Sequence, residues 1–183
     1  SIENPIAYLE SNVFGFQKVL DYVKETQVKK FVYASSSSVY GKDSKQPFNE
    51  NEACNNPESY YAATKKMNEL MAKSYFNTHR VISIGLRFFT VYGPWGRPDM
   101  AYFRIVSAAL GESSFSLFGD GKIKRDFTFI DDVVDTSIRL LDDLTTRGKG
   151  FADIVNIGGS RPLDMNYLIE LVQKQTKSII AVN

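Results

Sequence analysis

The sequence predicts an α/β chain built on a doubly wound parallel sheet, and three observations carry that reading. Lys29 to Ala34 and Arg80 to Leu86 are short apolar runs of strand length, and a third run closes at Asp153 to Ile157. Segments of helical period stand between and around them, at 4–26 and 59–77. Parallel neighbours need a crossover, and strand, helix and strand in alternation supply one.

The elements follow in order. Asn4-Pro5 has the form of a cap followed by a first-turn proline, after which Ile6, Leu9, Val13, Phe16, Leu20 and Val23 recur at helical spacing. The strand at about 30–35 comes next, and a polar loop through 42–58 leads to the second helix. There Met67, Leu70, Met71 and Tyr75 form an apolar stripe, expected to serve core or dimer packing. After the strand at 80–86 a long Gly- and Pro-bearing loop is expected, then a helix from about 101 ended by Gly111. Short strands are expected on both sides of Gly119-Asp120-Gly121, a turn signal. Asp131-Asp132 open a helix through Leu141, their charges suiting its amino-terminal end. The strand at 153–157 and a helix from about 163 to 175 complete the chain, which has no repeat, low-complexity tract or linker.

Bulk properties exclude several classes. With 183 residues and 43% hydrophobic content the chain can bury a substantial core, and 22 basic against 21 acidic side chains leave a formal charge of +1. That gives no global field for nucleic acid or a membrane surface. No stretch approaches the roughly 18 apolar residues of a membrane span, and the first residues lack the regions of a signal peptide. The expected setting is the cytoplasm. Cys54 is the single cysteine, so no internal disulfide forms, and His79, the single histidine, cannot alone build a metal site or a Ser-His-Asp triad.

The chemistry concentrates at Ser59-Tyr60-Tyr61-Ala62-Ala63-Thr64-Lys65 and at the serine run Ser35 to Ser38. On a helix, positions 61 and 65 share one face a turn apart, so an ammonium beneath a phenol favours its phenolate and makes a base of it. With ten tyrosines, one Tyr-x-x-x-Lys spacing arises about once by chance. Position strengthens it, because the serines fall at the carboxyl end of a buried strand, where open parallel sheets place their ligands. Ordinary turn chemistry accounts for the serines taken alone.

Ser36, Tyr61 and Lys65, with Val39-Tyr40-Gly41, resemble the catalytic set of the extended short-chain dehydrogenase/reductases that act on nucleotide sugars. Ser1 to Pro5, Arg87 to Met100 and Lys124 to Asp132 are similar to the UDP-glucuronate 4-epimerases, and the likeness covers nearly the whole chain. The resemblance implies NAD as cofactor and a Rossmann-like sheet, with residues 1–97 the carboxyl-terminal part of the NAD-binding domain. Residues 98–183 would form a small, incomplete α/β region for the nucleotide sugar, with some segments returning to the sheet. It also implies roles. Tyr61 takes the proton of the sugar C4 hydroxyl while hydride leaves C4, Lys65 holds the cofactor ribose, and Ser36 hydrogen-bonds the C4 oxygen. The 4-keto sugar turns over and C4 is inverted without net redox change.

The resemblance further assigns Asn12 to the cofactor, although a solvated helix face equally accounts for it. Arg125 matches a diphosphate-binding arginine, its bland alternative being an ion pair with Asp126 or Asp120. The Phe115 to Phe118 stretch matches the part that brackets uracil, and core packing explains it as well. Ser37 and Ser38 stand where related dehydratases carry Asp-Glu and decarboxylases a Glu; with no added acid or base, epimerisation is favoured over elimination. Ser37 is also placed among the substrate-binding residues that the resemblance implies. Thr90, where galactose epimerases carry Asn, argues against a neutral hexose. Arg97 and Thr90 correspond to the pair that grips the C5 carboxylate of glucuronate, which as a β-keto acid is lost as carbon dioxide unless held misaligned with the ketone. A solvated loop arginine is the alternative.

A dinucleotide fold begins with a strand and a Gly-rich turn, whereas this chain opens on a helix, and Gly158-Gly159 lies too late with the wrong spacing. The expectation is a fragment that lacks the amino-terminal Gly-rich half, ends abruptly at Ile179 to Asn183, and is inactive by itself. The partners implied are a UDP-sugar and a second copy, joined through helices 4–26 and 60–77 as a homodimer, with no nucleic acid and no membrane. Another UDP-sugar epimerase or decarboxylase, or an inactive binding or dimerisation fragment, are the rival readings.

Overall fold

Asn4 caps the first helix as its sequence predicts, accepting from the Ala7 amide at 3.1 Å with Pro5 at the first helical position. The computed structural model describes residues 1–117, 119–146 and 152–180. These form two compact units, one of Ser1–Phe88 with Val134–Ile157 and one of Phe89–Val133 with Gly158–Asn183.

In the first unit the opening helix runs as α1 (Pro5–Tyr8), a π-helical segment (Leu9–Phe14) and α2 (Gly15–Glu25). Strand β1 (Val32–Ser36) passes into a 3-10 turn (Ser37–Tyr40), α3 spans Tyr60–His79, and β2 is Ser83–Phe88. Strand β5 (Ala152–Ile157) returns to lie beside β2, so the sheet has the order β1-β2-β5, parallel throughout. Ser35 pairs with Arg87 and Arg87 with Asn156 across it. Leu20, Val39, Ile84 and Leu86 form the centre of the core.

The strand expected at 80–86 starts later, at Ser83. Arg80 takes the left-handed conformation that closes α3, its amide bonded to the Phe76 carbonyl at 3.0 Å, so the chain still turns where an extended run was expected. The stripe of α3 expected for core or dimer packing is divided, Met71 and Tyr75 being half-buried and the other two exposed. Leu70 is 60% exposed and Met67 41%, while the buried positions are Ala62, Thr64, Asn68, Glu69 and Ala72. Small and polar side chains hold this helix.

The second unit contains β3 (Thr90–Tyr92), α4 (Ala101–Ala109), β4 (Lys124–Phe129), α5 (Ile130–Thr146), which runs on into the first unit, β6 (Pro162–Asp164) and α6 (Met165–Thr176). Its sheet has the order β3-β4-β6, parallel at the first pairing and antiparallel at the second. Strand β3 falls inside the expected long loop, because three residues beside Gly93 and Pro94 are too short to show a period. The strand expected before Gly119 does not form among the described residues; Phe118 itself lies outside them. The turn docks on α6 instead, where the Met165 amide donates to the Gly121 carbonyl at 2.9 Å and the Asn166 side chain to that of Asp120 at 3.0 Å. Ile105, Ala109, Phe115, Met165, Ile169 and Ile180 form the core of this unit. Among the described residues no helix is long and apolar enough to cross a membrane.

Candidate active site

Ser59 starts α3 by accepting from the Ala62 amide at 3.1 Å, which sets Tyr61 in the first turn and Lys65 one turn later on the same side. The two are brought together, the Lys65 Nζ lying 5.8 Å from the centroid of the Tyr61 ring. Lys65 also donates to the Ala34 carbonyl at 3.0 Å, near the carboxyl end of β1. Burial draws its ammonium below the ordinary lysine value. The Tyr61 hydroxyl makes no hydrogen bond among the described residues, and its ring is met edge-on by Tyr8 at 6.0 Å. A phenol beside a cation that is tied to the end of β1, its hydroxyl without a hydrogen-bond partner among the described residues, is disposed to take a ligand hydroxyl.

Ser36 closes β1 and caps the 3-10 turn: its Oγ accepts from the Ser38 amide at 3.2 Å and bonds the Ser38 hydroxyl at 3.1 Å. Ser37 is half-buried in that turn. Gly41 follows at φ 69°, and a Cβ there would stand 2.3 Å from the Asn56 carbonyl oxygen, so the glycine of Val39-Tyr40-Gly41 serves a close backbone crossing.

Asn12 is not on a solvated face. It sits in the π-helical segment, donates to the Thr64 hydroxyl at 3.0 Å, and its carbonyl accepts from the Asn68 side chain at 2.6 Å. Thr64 in turn donates to the Tyr61 carbonyl at 2.8 Å. The π turn thus frees a carbonyl and aims it at the helix bearing Tyr61.

In the second unit Thr90 and Arg125 line one cavity of about 310 Å³, together with Asp99, Arg104, Phe115 and Leu117 among others. Arg125 forms no ion pair among the described residues. Asp126, one of its expected partners, accepts instead from the Gly159 amide at 3.1 Å and the Ser160 amide at 2.9 Å. Asp120, the other, pairs with Lys122 at 3.2 Å. Arg97 does not line the cavity; it forms a two-point pair with Asp99, Nε to Oδ1 being 3.0 Å, and this pair holds the Asp99 carboxyl below its usual range. Arg104 was not among the sequence-predicted residues. Its guanidinium stands 5.8 Å from the Phe115 ring, and a basic residue one turn into α4 was the only signal for it.

The sequence matches the model of a family described as the NAD dependent epimerase/dehydratase family over residues 1–158. A probable UDP-glucuronate 4-epimerase of Rhizobium meliloti is 40% identical, over 95% of this chain and 55% of that protein. The solved UDP-glucuronic acid 4-epimerase of Bacillus cereus, in complex with UDP-glucuronic acid and NAD, is 31% identical with a TM-score of 0.84, covering 96% of this chain and 54% of that one. A UDP-N-acetylglucosamine 4-epimerase of Methanobrevibacter ruminantium is 28% identical with a TM-score of 0.88, covering 100% and 58%. The chain spans about half the length of the curated relatives it matches.

Proposed function

Because the chain belongs to the NAD-dependent epimerase/dehydratase family, we propose that the whole protein inverts C4 of a UDP-sugar, with UDP-glucuronate as its substrate. The observation that carries this reading is the Tyr61–Lys65 pair anchored to the Ala34 carbonyl beside the serine turn. Tyr61 accepts the proton of the C4 hydroxyl and returns it to the C4 oxygen after the 4-keto sugar has turned. Ser36 holds that oxygen meanwhile. With Ser37 and Ser38 offering no carboxyl group, water elimination has no proton carrier.

The donor set suits NAD. One of the three Lys65 N–H donors is engaged by Ala34, which leaves two for a ribose diol, and Asn12 braces the helix that presents them. NAD supplies the acceptor and donor of hydride when bound. We assign cofactor handling and proton transfer to the unit that bears Tyr61, and recognition of the sugar nucleotide to the unit that bears Thr90, Arg97 and Arg125. In the cavity Arg125 and Arg104 suit a diphosphate and Phe115 and Leu117 a base, and Thr90 there, with the Arg97 fork now paired to the lining residue Asp99, suits a carboxylate. A homodimer is supported by exposed apolar side chains on the two helices expected to form it, Phe14 and Tyr22 on one and Met67 and Leu70 on the other. We place the reaction in the cytoplasm, supplying sugar nucleotides for polysaccharide synthesis.

The test is to incubate the whole protein with UDP-glucuronate, UDP-glucose and UDP-N-acetylglucosamine and follow the C4 proton by NMR. Inversion of UDP-glucuronate in preference to the others is the expected result. Preference for the N-acetyl sugar would move the substrate assignment, and no inversion of any sugar would overturn the reading.

A further inference from the structure

Tyr61, Lys65 and Glu69 follow one another at four-residue steps along a single stripe of α3, and the third is buried. Glu69 is 6% exposed and Arg87, in the central strand β2, 1%. The Arg87 Nε donates to Glu69 Oε1 at 2.8 Å and its Nη2 to Oε2 at 2.9 Å. Ser35 donates to Oε1 at 2.6 Å and Lys66 to Oε2 at 3.2 Å. Four donors fill the lone-pair positions of the carboxylate, so Glu69 has no capacity left to accept a substrate proton. Its function is in what it joins.

Ser35 is the neighbour of Ser36 at the end of β1, and Arg87 is its partner across the β1–β2 pairing. Arg87 Nη1 has no hydrogen-bond acceptor among the described residues, and the guanidinium lies over the Tyr40 ring, whose centroid is 4.6 Å from Cζ. Tyr40 donates to the Asn156 side chain of β5 at 2.7 Å. One network therefore reaches all three strands, the serine turn and α3. A methyl-lined interface tolerates sliding and rotation, whereas a two-point fork fixes both.

On the reading of the previous subsection, we propose that Glu69 is a positioning residue for Tyr61 and Lys65. Its carboxylate, gripped by Arg87 and Ser35, sets the rotation and register of α3 on the sheet, and so holds the base and its cation at the end of the strand that carries Ser36. Lys65 and Ala34 make the second fastening one turn earlier.

Two variants of the whole protein test this. Arg87→Lys keeps the charge but not the fork, and Ser35→Ala keeps the ion pair but removes the tie to β1. Expected for Arg87→Lys is a fall in kcat of about tenfold or more, with UDP-sugar KM and NAD affinity within about twofold of wild type, because misplacement of about an ångström weakens the chemical step more than binding. Ser35→Ala should lower kcat by about threefold or more, again without a change in KM. Arg87→Lys activity is read per folded molecule, from the circular-dichroism amplitude of the same sample, and if it does not fold Ser35→Ala decides alone. Unchanged kcat in folded variants, or a parallel loss of binding and turnover, would overturn the positioning role while the epimerase reading stands. Absence of turnover in the wild type would remove the epimerase reading itself, and the inference with it.

Discussion

Lys65 donates to the carbonyl of Ala34 at 3.0 Å while its Nζ stands 5.8 Å from the Tyr61 ring. One side chain thus ties the tyrosine helix to the strand that ends in the serine turn. Burial draws the lysine below its ordinary value, and the hydrogen bond to the strand carbonyl replaces part of the hydration that burial removes.

The first prediction separates Tyr61 from its neighbour. Tyr60 is 40% exposed, whereas Tyr61 is half-buried between Tyr8 and Lys65. In the whole protein Tyr61→Phe should lower turnover about 100-fold or more with UDP-sugar binding nearly intact, and Tyr60→Phe should change it by less than about threefold. Steady-state rates with equal losses for both variants would move the base away from Tyr61.

Arg97 is predicted to select for a carboxylate. Its guanidinium already shows two-point pairing with Asp99, which is the geometry a glucuronate carboxylate would use. Arg97→Ala should weaken kcat/KM for UDP-glucuronate about 30-fold, the scale of a lost charge-assisted pair, and leave UDP-glucose little affected. Some turnovers of the variant should end in decarboxylation, so UDP-pentose should appear among its products. Equal losses for the two sugars would take Arg97 out of substrate selection.

Glu69 should leave a signature in the pH dependence of stability. Burial pushes its carboxyl up, but the Arg87 and Ser35 hydrogen bonds and the charges of Arg87 and Lys66 outweigh it and set it below the usual range, with the buried Tyr33 hydroxyl nearby remaining neutral. A folded pKa below the unfolded value of about 4.3 contributes stability that is complete above that pH and is lost as pH falls through the folded pKa. Glu69→Gln should therefore destabilise by about 3 kcal/mol near neutrality, and its melting temperature should converge on the wild type's as the medium is acidified below about pH 4. A gap that stays constant from pH 7 to pH 3 would count against an ionised, paired Glu69.

Gly41→Ala is predicted to cost about 2 kcal/mol or more. Its Cβ would meet the Asn56 carbonyl oxygen at 2.3 Å, and φ is 69°. Backbone atoms cannot yield as a flexible side chain does. Chemical denaturation should show the loss at unchanged m-value, and a midpoint equal to wild type would show that the crossing relaxes.

Reading the sequence placed the long helices and the parallel strands because their periods are long or their residues branched and apolar. It misplaced the edges of β2, where Val81 and Ile82 look like strand but follow a helix cap at Arg80. It also missed β3, whose pairing with β4 is a tertiary fact that three residues cannot announce. Glu69 was passed over for a similar reason. Its spacing from Lys65 was visible, but only the fold reveals that Arg87, 18 residues away, and Ser35, 34 residues away, converge on it. Of the two roles expected for the apolar stripe of α3, core or dimer packing, the exposure of Met67 and Leu70 leaves little to the core, because the inward face is made of alanine, threonine, asparagine and glutamate, whose burial depends on partners that hydropathy does not show.

That inversion has a consequence for how such a chain can change. Met67 and Leu70 look outward and carry none of the polar fastenings of α3 described above, which fall to Thr64, Lys65, Asn68 and Glu69. The outward residues can drift, acquiring or losing affinity for a neighbouring surface, without rotating the tyrosine beneath. A substitution at 67 or 70 would therefore alter what this exterior adheres to while leaving untouched the hydrogen bonds that set Tyr61 and Lys65 on the sheet.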